Sequence, residues 1–87
     1  MYWNQVAFYF NLIATGNEHI ILFWNYENLK LVGVIYLEHI EIWNLLFLEP
    51  FPLLLVFDVY SNIYVYEIIF SYNVIPYKLI AQIEFKE

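Results

Sequence analysis

Turn-forming or charged residues interrupt this chain about every ten residues, a rhythm that suits a meander, sandwich or barrel of short strands. Thr15-Gly16-Asn17-Glu18 predicts one turn, with Gly16 or Asn17 supplying a positive φ, and Asn25-Tyr26-Glu27-Asn28 predicts a second. Glu49-Pro50-Phe51-Pro52 is a firm break, because two prolines remove ladder donors. Tyr60-Ser61-Asn62 and Tyr72-Asn73 are further breaks, and Pro76 opens the last strand.

Local propensity agrees. Val, Ile, Tyr, Phe, Trp and Thr account for 40 of the 87 residues, against 29 for Ala, Leu, Glu, Lys, Gln and Met. With Ala at only 3, a helical bundle is disfavoured. Alternation marks two strands. In Tyr77–Lys86 the odd positions Tyr77, Leu79, Ala81, Ile83 and Phe85 are apolar and the even positions mostly polar, the pattern of a half-buried strand. In Asn62–Tyr72 the greasier face carries Tyr64, Tyr66, Ile68, Phe70 and Tyr72. Residues 36–49 admit two readings. Tyr36, Leu37, Ile40, Trp43, Leu46 and Phe47 recur at helical spacing, with Glu38, Glu41 and Asn44 opposite and Pro50 as the stop. The dense Val and Ile of residues 33–42 favour a strand instead. The fold expected is mainly β: a small sheet, sandwich or barrel of short strands, with or without one helix near residues 36–49. No linker or composition break divides residues 1–87, which read as a single domain.

A faint repeat is present. Glu18-His19-Ile20 recurs as Glu38-His39-Ile40, and each Trp precedes an Asn. Phe57–Asn62 and Ile20–Asn25 resemble the L-x-L-x-x-N strand of leucine-rich repeats. The register breaks at Ile40–Asn44, so no solenoid is inferred.

Size then sets a surface problem. A domain this small buries only about 60–65% of what its unfolded chain exposes, yet 63% of the residues are hydrophobic and 14% charged. Apolar surface must remain outside, and contiguous patches of it mark a partner, a membrane or an aggregation hazard. The same composition excludes disorder. Zero Cys excludes a disulfide framework and a thiolate metal site. Three lysines against nine acids, net charge −6, cannot make a basic face for nucleic acid. The first 17 residues are uncharged, but they lack a basic n-region and contain Asn4, Gln5 and Asn11, a poor signal peptide. The best candidate membrane span, Leu53–Ile75, contains Asp58 and Glu67, which would have to be buried against other protein.

Chemistry has little to work with. Glu18, His19, Glu38 and His39 are metal-ligand types, but adjacent residues on a strand point to opposite faces, so each pair offers one ligand. Solvated faces are the simpler reading, as they are for Glu38 with Glu41. Glu67, inside an apolar run, is read as facing solvent or as a charged guard on an edge strand. Thr15, Ser61 and Ser71 fit no nucleophile elbow, and Gly16 and Gly33 are too few for a nucleotide cradle. No catalytic, cofactor-binding or metal-ligating residue is assigned, and the chain is not expected to be an enzyme. The aromatic residues are the remaining signal, because Tyr and Trp present an apolar body with a polar tip. Trp3, Trp24, Trp43, Tyr64, Tyr66 and Tyr72 are the candidates for a contact surface, with core packing the competing reading.

The function expected is non-catalytic: an interaction or structural protein that buries apolar surface against a protein partner, a second copy in a homo-oligomer, or an apolar ligand. One alternative is a small membrane-embedded subunit of a larger complex. Another is an artificial sequence without biological function, since zero Arg, zero Cys and three Ser plus Thr are odd for a surface that is usually about 25–35% charged.

Overall fold

A computed structural model describes residues 5–69 and 77–84. It contains eight strands: β1 (Gln5–Tyr9), β2 (Leu12–Asn17), β3 (Ile20–Asn25), β4 (Leu31–Tyr36), β5 (Ile42–Phe47), β6 (Leu53–Asp58), β7 (Ile63–Ile68) and β8 (Tyr77–Ile83). They form two antiparallel four-stranded sheets in chain order, β1-β2-β3-β4 and β5-β6-β7-β8. The result is a small β-sandwich-like fold. The sheets approach most closely where β1 and β2 meet β5, and there the Tyr9 and Phe47 rings lie 5.2 Å apart.

The inner face of the first sheet is fitted by size. Ala7, Ala14, Phe23 and Gly33 lie in register across the four strands, so the fully buried Phe23 ring has small neighbours on both sides. Gly16, Ile21 and Ile35 form the next row. Both glycines therefore serve as space in strands and not as turns. The second sheet contributes Leu45, Phe47, Leu54, Val56, Tyr66 and Ile68 to the same core.

Turns fall to other residues. Phe10, Glu18, Leu29 and Ser61 adopt positive φ, and Phe10-Asn11 and Glu18-His19 are two-residue hairpin loops. The turn expected at Thr15–Glu18 thus begins only at Glu18, because Gly16 is needed inside β2 opposite Ile21. The Asn25–Asn28 turn forms where expected. Asn25 Oδ1 accepts from the Glu27 N–H at 2.8 Å, and Asn28 Oδ1 from the Lys30 N–H at 3.0 Å, the local bonding that makes Asn a turn residue. Glu49–Pro52 separates β5 from β6; its Glu49–Pro50 bond is cis, and the Pro50 carbonyl accepts from the Tyr9 hydroxyl at 2.9 Å.

The helix expected near residues 36–49 does not form; among the described residues there is no helix, and so none long and apolar enough to cross a membrane. The reason is a β-bulge. Ile42 pairs with Asp58 and Asn44 with Phe57, so Trp43 is an extra residue. Buried positions in β5 therefore fall at Ile42, Leu45 and Phe47, and the first step of three imitates helical spacing. The five residues before β5 are a tether: the Leu37 N–H donates to the His19 carbonyl, the Ile42 N–H to the Glu18 carbonyl, and the Val59 N–H to the Glu41 carbonyl. His19 Nδ1 donates to the Ile40 carbonyl at 2.6 Å.

Two readings of the last strands also change. β8 is a strand, but all seven of its residues are exposed, not half-buried. Its register shifts between Ala81 and Leu79, so the odd-numbered apolar row is split. Tyr77 and Leu79 stand opposite the inward Ile68 and Tyr66, while Ala81 and Ile83 stand opposite Val65 and Ile63. Glu67 is half-buried and belongs to β7, an interior strand, so it does not guard an edge. Its register partner on β8 is Lys78. Pro76 and the Tyr72-Asn73 break lie outside the described residues.

Candidate interaction surface

The outer face of the first sheet is built from two rows across β1–β4. One is Val6, Thr15, Leu22 and Val34; the other is Phe8, Ile13, Trp24 and Leu31. Only Thr15 is polar, and its hydroxyl oxygen accepts the Trp24 indole N–H at 2.9 Å. The two polar groups of the face satisfy each other, which leaves it without an open claim on water. Val6, Phe8 and Leu31 are exposed, and the rest are half-buried. The Phe8 and Tyr26 rings extend the face, 6.5 Å apart and edge-on. At its β1 margin lies an open groove of about 650 Å³, lined by Val6 and Phe8 on one side and by Leu46, Leu48 and Glu49 on the other.

The outer face of the second sheet is apolar in part. Leu46, Leu55, Val65 and Ala81 form one uncharged row, but the next carries Glu67 beside Lys78. Four apolar side chains of β8, Tyr77, Leu79, Ile80 and Ile83, are exposed.

The sequence candidates are dispersed. Trp3 and Tyr72 lie outside the described residues. Trp24 sits in the outer face of the first sheet, and Trp43 projects from the β5 bulge, 66% exposed. Tyr64 and Tyr66 are on β7, Tyr64 half-buried and Tyr66 5% exposed within the core cluster, its ring 6.0 Å from that of Tyr77. Sequence reasoning passed over Val6, Phe8, Ile13 and Leu22. The available signal was the near-continuous apolar runs Ile20–Trp24 and Leu31–Tyr36, which, unlike an alternating strand, load both faces of a sheet.

No family model, characterised protein or solved structure matches this chain.

Polar chemistry concentrates at one buried carboxylate. Asp58, 5% exposed, ends β6 and organises the next turn. Its Oδ1 accepts the N–H groups of Tyr60 and Asn62, each at 2.9 Å; its Oδ2 accepts the Asn62 amide at 3.0 Å and the Tyr64 hydroxyl at 3.2 Å. Burial pushes the Asp58 carboxyl up, but these donors together outweigh it and hold the group below its ordinary 3.8. Tyr64 is pushed above 10 by burial and by the Asp58 charge, and Tyr66 chiefly by burial. A carboxylate with four donors already in place has turn-holding to explain it and no free lone pair aimed at a substrate. Among the described residues no three His, Asp or Glu side chains gather where they could hold a metal ion.

Proposed function

We propose that this chain is a non-catalytic interaction protein whose apolar sheet surface is covered by another polypeptide. The outer face of the first sheet carries this reading: eight residues in register, one of them polar, and that one already bonded within the face. Such a face gains by leaving water and asks no hydrogen bond of what covers it. Tyr36 and Trp43 add aromatic area of the kind enriched at interfaces. A protein partner or a second copy is favoured over a membrane span by strand length. Five to seven residues at about 3.3 Å each reach about 17–23 Å, short of the roughly 30 Å hydrocarbon layer.

Size-exclusion chromatography with light scattering, with and without detergent, tests the reading. A species heavier than 10.6 kDa in plain buffer is the expected result. A chain that stays monomeric when concentrated and binds no apolar dye overturns it. A chain recovered only in detergent overturns it in favour of a membrane-embedded subunit.

A further inference from the structure

Building on that reading, we propose that β8 pairs antiparallel with β8 of a second copy of this chain, about a two-fold axis at Ala81, to join two second sheets into one of eight strands. β8 ends its sheet, and among the described residues no strand lies on its far side. A free edge presents a row of unpaired N–H and C=O groups, a template for another strand. Edges are commonly protected by a charge or proline along their length; here the stretch Leu79–Ile83 has neither. Both its faces are bare, with Leu79 45% and Ile83 57% exposed, although the chain spends three large aliphatic side chains there.

Charge decides the occupant and its direction. Lys78 lies at one end of the strand and Glu84 immediately past the other. A parallel neighbour would set like charges together; an antiparallel copy brings each Lys78 end beside a Glu84 end, twice by symmetry. The bulge fixes the register. With Ala81 on the axis and Ile80 extra on each strand, Gln82 meets Leu79 of the second copy and Ile83 meets its Lys78. Each of these pairs then lies on one face of the joined sheet. The Lys78 that Glu67 faces on β7 thereby gains a second acidic neighbour. The other terminal strand, β4, lacks this logic: its Ile35 is fully buried, and it carries no charge to choose a direction.

The full chain tests this without altering its core. The unmodified protein is expected to dimerise in plain buffer as concentration rises. The chain contains no cysteine, so Ala81→Cys reports on one position alone. Residues opposed in an antiparallel pair have Cα atoms about 4.5–5.5 Å apart, within disulfide range, so Ala81→Cys should cross-link on mild oxidation. Ala81→Lys opposes two like charges at the axis and should raise the dimer Kd at least about tenfold, with far-UV circular dichroism unchanged. Glu84→Lys should also weaken the dimer, and adding Lys78→Glu should recover it. Should Ala81→Lys fail to fold, Glu84→Lys decides, since it lies beyond the strand. A dimer indifferent to these substitutions overturns the β8 pairing and leaves the broader interaction reading standing. So does a monomer that binds apolar dye. A monomer that binds none overturns both.

Discussion

β4 and β8 hold equivalent places, each the last strand of a four-stranded meander, yet they are built on opposite terms. β4 sends Ile35 into the core at 0% exposure, packs Val32 against it, and is followed at once by the buried Leu37. β8 contributes nothing to the core, and all seven of its residues are exposed. Their apolar content does not separate them. The difference is the opposing sheet: the close approach of β1 and β2 to β5 puts cover over one end of the second sheet only, and β7 is the last strand beneath it. A strand's hydrophobicity therefore says that it should be covered, while the sheet's layout decides whether its own chain does the covering.

Truncation in the two strands is the most direct way to break that contrast. Ile35→Ala should cost about 2–5 kcal/mol of unfolding free energy, because it removes side chain from a fully enclosed site that collapses only partly. Leu79→Ala, measured in chemical denaturation at dilutions where the chain is monomeric, should cost no more than about 1 kcal/mol. Equal losses would mean that β8 is covered in solution by its own chain, and the distinction drawn between the two strands would fail.

The turns of the two sheets differ as well. The β6–β7 turn is braced by Asp58, whereas the β2–β3 loop rests on the tether before β5. Asp58→Asn removes the charge and reshuffles donors and acceptors around two backbone N–H groups and the Tyr64 hydroxyl. The expected cost is about 1–3 kcal/mol. The pH dependence has a definite sign. The folded carboxyl lies below 3.8, so the folded protein binds this proton less readily than the unfolded chain. Its contribution is complete above about 3.8 and is lost as pH falls through the folded value. Urea midpoints followed into acid should drop more steeply for the parent than for Asp58→Asn. At the alkaline end the sign reverses. Tyr64 and Tyr66 lie above 10 when folded, so their contribution is present below 10 and lost as pH rises past it. Phenolate absorbance should lag in the folded protein.

Much of this architecture is legible in the residues, and the failures share a cause. The β class, the turns at Asn25–Asn28 and Glu49–Pro52 and the break at Tyr60–Asn62 follow from propensity and turn chemistry that act locally. Bulges do not act locally. The one at Trp43 lends a strand the spacing of a helix, and the one at Ile80 splits an alternating row between two faces. Gly16 and Gly33 look like turn residues until their cross-strand neighbours, Ile21 and Phe23, show them making room. Phe10-Asn11 carries almost no turn signal, and β1 and β2 read as one uncharged run without it. For the interaction surface, the tendency of Trp24 to face outward was readable. The rows around it required strand order, because Val6 and Val34 become parts of one face only through three successive pairings.

The smallest expected effect concerns the positive-φ residues that stand where glycine would be easier. Glu18 at φ 52° opens the β2–β3 loop, and Ser61 at φ 69° sits in the Asp58 turn. The left-handed region costs a residue with a Cβ about 1–2 kcal/mol, part of which glycine gives back through its looser unfolded chain. Glu18→Gly should therefore stabilise by up to about 1 kcal/mol. The Ile42 N–H bond to the residue-18 carbonyl survives the change, since it uses only backbone. Ser61→Gly should gain less, because the Asp58 carboxylate holds the N–H groups on either side and fixes the turn whichever residue occupies its centre. Glu18→Ala is the control. It removes the same carboxylate and keeps the Cβ, so a gain equal to that of glycine would trace the effect to the lost negative charge, in a chain already at −6, and not to the backbone.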